Sequence, residues 1–189
     1  MLHSAPATAQ QEKKHLFKGG LAGFALALLL ALLFILLLAY TGAYDISASK
    51  DHSPFVRWAF STTMRNSVSV RASDIEVPSR FTPEQVAAGA RQYKSMCEHC
   101  HAGPGVQKQE WVKGMLPQPP HLVEAVTEWE PNEVFWLAKH GVRMSAMPAF
   151  GGTHEDTALW EITSFVMRLP GMTAEEYAAL GAEPAESSK

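Results

Sequence analysis

Cys97, Cys100 and His101 fall in the run Cys-Glu-His-Cys-His and use the only two cysteines in the chain. The pattern C-x-x-C-H is the attachment site of a c-type haem. Two thiols three residues apart can each add to one vinyl group of the same porphyrin. The adjacent histidine can then offer a ring nitrogen to the iron. On the haem reading, the fold has to enclose a large flat cofactor. Three competing readings are a zinc half-site, a thioredoxin-like redox pair and an accidental match. A structural zinc site needs four ligands and normally a second close pair, which this chain lacks. A thioredoxin-like motif belongs to a βαβ unit, and the downstream sequence does not read as strands.

The second strong signal lies near the start. From Gly19 to Tyr44 there is no charged residue, and Leu21 to Tyr40 is almost entirely Leu, Ala, Phe and Ile. Twenty helical residues rise about 30 Å, the thickness of the hydrocarbon core of a bilayer. Lys13, Lys14 and Lys18 precede the run, which leaves the N-terminus cytoplasmic and exports the chain beyond Tyr40. A cleaved signal peptide, with Thr41-Gly42-Ala43 as the cleavage site, is the alternative. Signal h-regions are shorter than this run, so a retained anchor is the expectation. Residues 1–77 carry a formal charge of +2 and residues 78–189 one of −5. An acidic exported domain argues against nucleic acid and suits a redox partner with a basic patch.

Five segments are expected: a polar cytoplasmic tail over 1–18, a transmembrane anchor over 19–44, and an exported connector over 45–80, then a haem domain over 81–170 and a tail over 171–189. Ser53-Pro54 opens a connector helix of about three turns. Arg57, Arg65 and Arg71 lie among its apolar residues, and lipid headgroups, the haem domain or a partner could receive it. Thr82, Pro83 and Gln85 form a capped helix start, with Phe81 and Val86 as its hydrophobic staple. That helix ends at the cysteine motif. The Gly- and Pro-rich stretch between Gly103 and Pro120 reads as loop. A short helix around Leu122 to Thr127 and a clearer one from Pro131 to Gly141 come next. An extended loop from Val142 to Gly152 carries Met144 and Met147. Thr153 and Asp156 read as a box-like start to a final helix, whose Leu159, Ile162, Phe165, Val166 and Leu169 keep helical spacing.

The iron needs a sixth ligand or an open position. Met147, in Met-Pro-Ala-Phe, is the leading candidate. Its thioether favours ferrous iron, and the proline after it keeps its backbone extended. Met144 and Met115 are alternatives, and His121 or His140 would give bis-histidine ligation. The tryptophans at 111, 129, 136 and 160 read as packing around the cofactor, with indole bonds to a propionate as the functional alternative. Arg143 reads as a solvated arginine that could also pair with a propionate.

The whole order resembles class I cytochrome c over about Phe81 to Leu169: capped helix, Cys-x-x-Cys-His, Pro-rich loop, helix ending in Lys-His-Gly, Met-Pro-Ala-Phe, aromatic final helix. The resemblance implies an all-α fold around one covalent haem c, here preceded by a single transmembrane helix. It implies that Gly89 and Tyr93 of the first helix meet Phe165 of the last. It also implies that the Pro120 carbonyl accepts from the second nitrogen of the proximal His101, opposite Met147. The expected protein is a one-electron carrier of a bacterial inner membrane, with its haem domain in the periplasm. It would work between a membrane-bound donor and an oxidase or reductase and would not be an enzyme by itself. A peroxidase-like enzyme or dehydrogenase subunit, a gas-binding sensor and a structural anchor subunit are the rivals. The first two need an open iron.

Overall fold

The computed structural model describes residues 7–180. The chain divides into two compact units, Met1–Ser47 and Ala48–Lys189. The first unit is built on one helix, α1 (Ala7–Thr41). Residues 7–18, expected as a polar tail, therefore form its first turns. Residues 1–6 of that expected tail lie outside the described residues. From His15 to Thr41 the helix is long and apolar enough to cross a membrane. From Gly19 to Tyr40 its residues are apolar on every face, as a membrane span requires and a surface helix does not.

The second unit is helical, and its described residues contain no strand, only an isolated bridge between Gly103 and Val106. It comprises α2 (Pro54–Ala72), α3 (Pro83–Met96), α4 (Glu98–His101), α5 (Leu122–Ala125), α6 (Pro131–His140), α7 (Asp156–Val166) and α8 (Ala174–Ala179). Short 3-10 turns cover Glu110–Gly114, Val126–Glu128 and Phe150–Gly152.

The unit is organised by the crossing of α3 on α7. α3 starts where its capping box requires: the Gln85 N–H donates to Thr82 Oγ1 and the Thr82 N–H donates to Gln85 Oε1. Gly89 sits at the crossing. A Cβ there would lie 1.9 Å from the Glu161 carbonyl oxygen, so only glycine lets the two backbones meet. One turn on, the Tyr93 and Phe165 rings pack 5.3 Å apart and tilted. Both are fully buried, with Leu159, Ile162, Val166 and Leu169 beside them. Burial of side chains this size stabilises by roughly 1.5–3 kcal/mol each. Trp160 stacks on Phe135 of α6 at 4.1 Å, joining α6 to the same core. Trp160 also meets Phe81 at 6.2 Å, so it packs among core aromatics.

Three local expectations change. α2 is longer than the three turns expected and reaches Ala72. Its C-terminal half packs on α6: Val68 and Ala72 are buried, and Asn132 Nδ2 donates to the Ala72 carbonyl at 2.8 Å. Thr153 does not cap α7. It hydrogen-bonds back to the Phe150 carbonyl, and Glu155 takes the N-cap position. Residues 171–180 are not a tail. α7 ends at Val166, ahead of Pro170-Gly171, and Thr173 and Glu176 then form a further capping box that starts α8, whose Tyr177 is buried in the core. Residues 181–189 of the expected tail lie outside the described residues.

Candidate functional site

Cys97 ends α3 and begins α4, so the core helix passes directly into the attachment turn. The Cys100 and His101 N–H groups both donate to the Cys97 carbonyl, at 3.1 and 2.9 Å. This helical turn places the two sulfurs one turn apart on the same side, as a single ring joined through both requires. Both cysteines are free and half-buried. Burial first, and the neighbouring Cys100 second, push the Cys97 thiol up to about 12. A thioredoxin-like redox pair depends on a lowered thiol pKa, and this thiol is raised.

His101 is half-buried, with its Nδ1 2.9 Å from the Pro120 carbonyl oxygen. In the tautomer that donates from Nδ1, the Nε2 lone pair remains for a metal. Burial is the main cause that holds the imidazole below its ordinary pKa; the bond to Pro120 opposes it, and the charges of Lys108 and His121 reinforce it. A neutral ring is what a ligand must be. Pro120 is itself held in place: Lys108 Nζ donates to the carbonyl of Pro119 next to it. The structure thus brings Cys97, Cys100, His101 and Pro120 into one constellation.

Immediately after His101 the backbone is strained. Ala102 has φ 60° and ψ −164°, a region that is essentially glycine-only. Three features hold it there. Its N–H donates to the Glu98 carbonyl, its own carbonyl accepts the Tyr93 hydroxyl at 2.6 Å, and its side chain is fully buried. Nothing in the sequence marks Ala102, because an alanine carries no signal for positive φ. Tyr93 was legible as a core aromatic, but its hydroxyl bond was not.

Met147 lies in a closed turn and not in the extended loop the sequence suggests. The Val142 N–H donates to the Met147 carbonyl at 3.3 Å, and the Ser145 N–H donates to the Val142 carbonyl at 3.2 Å. Gly141, at φ 64°, ends α6 against this turn, and a Cβ there would lie 2.7 Å from the Met147 carbonyl oxygen. Met147 is half-buried, whereas Met144 sits at φ 61° and is 73% exposed. Met115 is half-buried, and His121 and His140 are both exposed. His140 packs its ring on Trp136 at 4.7 Å, and Trp111 is 57% exposed.

The donor set fits a covalent haem: two thiols on one helical turn, a neutral imidazole oriented through its far nitrogen, and a half-buried thioether in a separate turn. Residues 84–166 match the family model described as cytochrome C oxidase, cbb3-type, subunit III. The match begins in the first turn of α3 and ends with the last residue of α7. No curated protein matches the chain.

Proposed function

From the premise that residues 84–166 are a class I cytochrome c domain, which binds haem c covalently and serves electron transfer, we propose a membrane-anchored one-electron carrier with His101 and Met147 as axial ligands. The haem supplies an iron that alternates between ferric and ferrous states. The protein does the rest. Cys97 and Cys100 would tether the cofactor, and His101, oriented by its bond to Pro120, would ligate the iron. The half-burial of Met147 in the closed turn after α6, beside the exposure of Met144, is the observation that supports the ligand assignment. A thioether in the sixth position closes the iron to substrates, so the protein transfers electrons and does not act as an enzyme by itself.

α1 would be retained as a single inner-membrane span, with the lysines before it cytoplasmic and the haem domain periplasmic. The donor would be membrane-bound. The name of the matched family, subunit III of a cbb3-type oxidase, supports an oxidase as the acceptor, met either in passing or inside a complex.

Absorbance spectra of both redox states test the ligand set. A weak band at the red end of the ferric spectrum and no carbon monoxide binding to the ferrous protein are expected. Ready carbon monoxide binding would overturn the closed site and favour an enzyme or a sensor. Fractionation tests the anchor: the protein should stay with membranes after a salt wash, and a mature N-terminus near Tyr44 would show cleavage instead.

A further inference from the structure

α8 lies beyond the residues matched by the family model, yet it is joined to the attachment turn by a hydrogen bond as well as by packing. Its Tyr177 is 2% exposed, and its hydroxyl donates to Glu98 Oε1 at 2.6 Å. Glu98 is the residue between Cys97 and His99 in the attachment motif. The ring of Tyr177 packs on Phe165 at 6.0 Å and covers Gly103, where a Cβ would come within 2.4 Å of it. From α3, Lys94 Nζ reaches the open end of α8, donating to the carbonyls of Tyr177 and Leu180. It also stands 4.8 Å over the Tyr177 ring. One cation therefore satisfies the terminal carbonyls of α8 and complements its dipole.

We propose that Tyr177 is a positioning residue that fixes the Glu98 carboxylate beside the haem-attachment turn, and that this fixed negative charge lowers the reduction potential of the bound haem. A hydroxyl-to-carboxylate bond of 2.6 Å is short and charge-assisted, which makes it strong enough to choose one carboxylate orientation. Glu98 is half-buried on the same short helix as His101, where a charge is screened less than at an open surface. Ferric haem carries one more positive charge than ferrous haem, so a held carboxylate favours the oxidised form. The inference rests on haem attachment alone and stands whichever residue fills the sixth position.

A double-mutant cycle in midpoint potential tests it on the full-length holoprotein in detergent. Glu98→Gln removes the charge and keeps an oxygen for the hydroxyl, so the potential should rise. Tyr177→Phe keeps the ring packing and releases the carboxylate to solvent. In that background the rise caused by Glu98→Gln should shrink by half or more. A Glu98→Gln variant with no rise overturns the proposal, and so does an equal rise in both backgrounds. If Tyr177→Phe does not accumulate, Glu98→Asp serves instead: it keeps the charge but falls short of the hydroxyl. It should then show part of the Glu98→Gln rise, and a wild-type potential in that variant overturns the proposal. Failure of the Met147 assignment would appear separately, as an unchanged spectrum in Met147→Ala or as carbon monoxide binding by the wild type.

Discussion

The turn that carries His101 and the turn that carries Met147 are built by different means. Around His101 the bonds tie the turn to other elements of the chain. Tyr93 reaches Ala102, Pro120 accepts from His101, and Tyr177 reaches Glu98. Around Met147 the bonds are local: Val142 to Met147, Ser145 to Val142, and the Met147 N–H to Ser145 Oγ. The first arrangement ties the turn to the chain at several residues, while the Pro120 bond orients the imidazole itself. The second gives a local backbone frame on which one side chain can be exchanged with little folding loss. The proximal side is therefore robust, and the turn at 142–147 is where the chemistry of the iron can be altered.

The largest effect should come from the crossing on which the proximal side depends. Gly89→Val would drive a side chain into the Glu161 backbone, and backbone cannot step aside as a side-chain tip can. A loss exceeding about 3 kcal/mol is expected, read as a lower urea midpoint in the holoprotein. Stability within about 1 kcal/mol of wild type would show that the helices can slide, and that the proximal frame is less rigid than the contrast requires.

Met147→Ala should produce the largest chemical effect at a small structural cost. The potential should fall with loss of the thioether, carbon monoxide should bind the ferrous protein, and far-ultraviolet circular dichroism should stay unchanged. Met144→Ala should leave spectrum and potential alone, because that side chain is exposed at the tip of the turn. The reverse pattern would move the ligand to Met144. Wild-type spectra in both variants would turn attention to His121 or His140.

Tyr93→Phe probes a single proximal bond. The ring keeps its packing on Phe165, but the buried Ala102 carbonyl loses its hydroxyl partner. About 1–2 kcal/mol should be lost, with the haem spectrum intact because the Pro120 bond remains. A changed spectrum would mean that this one bond does govern the imidazole.

Whether an element is legible in the sequence depends on how it is encoded. α3, α6 and the core of α7 carry periodic apolar residues, Pro at N1 or glycine past the end, and these signals act locally. The attachment motif is a contiguous run, so its chemistry was legible, and Gly89 and Tyr93 were legible one turn apart. The turn at 142–147 was not, because its closure depends on Met144 adopting positive φ, which nothing in a methionine announces. α8 was missed for another reason. Its Thr173-Ala-Glu-Glu start has the form of a capping box, but six residues next to a Pro-Gly stop have too little periodic pattern to stand out. Its stability comes from Lys94 and Glu98, about eighty residues earlier in sequence. The strained Ala102 is likewise a product of tertiary bonds.

The smallest expected effect separates two ways of holding α2 on the haem domain. Arg65 pairs with Glu128 and lies 5.1 Å over the Trp129 ring, which looks like an anchor. Both charged groups are more than half exposed, however. Exposed pairs contribute about 0–1 kcal/mol, and salt screens them further. Val68 is 1% exposed, and trimming it to alanine removes two buried methyl groups, worth about 0.8 kcal/mol each before any cavity cost. Val68→Ala should therefore lower the unfolding midpoint more than Arg65→Ala, and only the small Arg65→Ala effect should shrink in high salt. If Arg65→Ala proves the more damaging change at low salt, α2 is held by charge. It would then share with the Tyr177–Glu98 contact a dependence on one carboxylate, and not the distributed packing that secures Gly89 against α7.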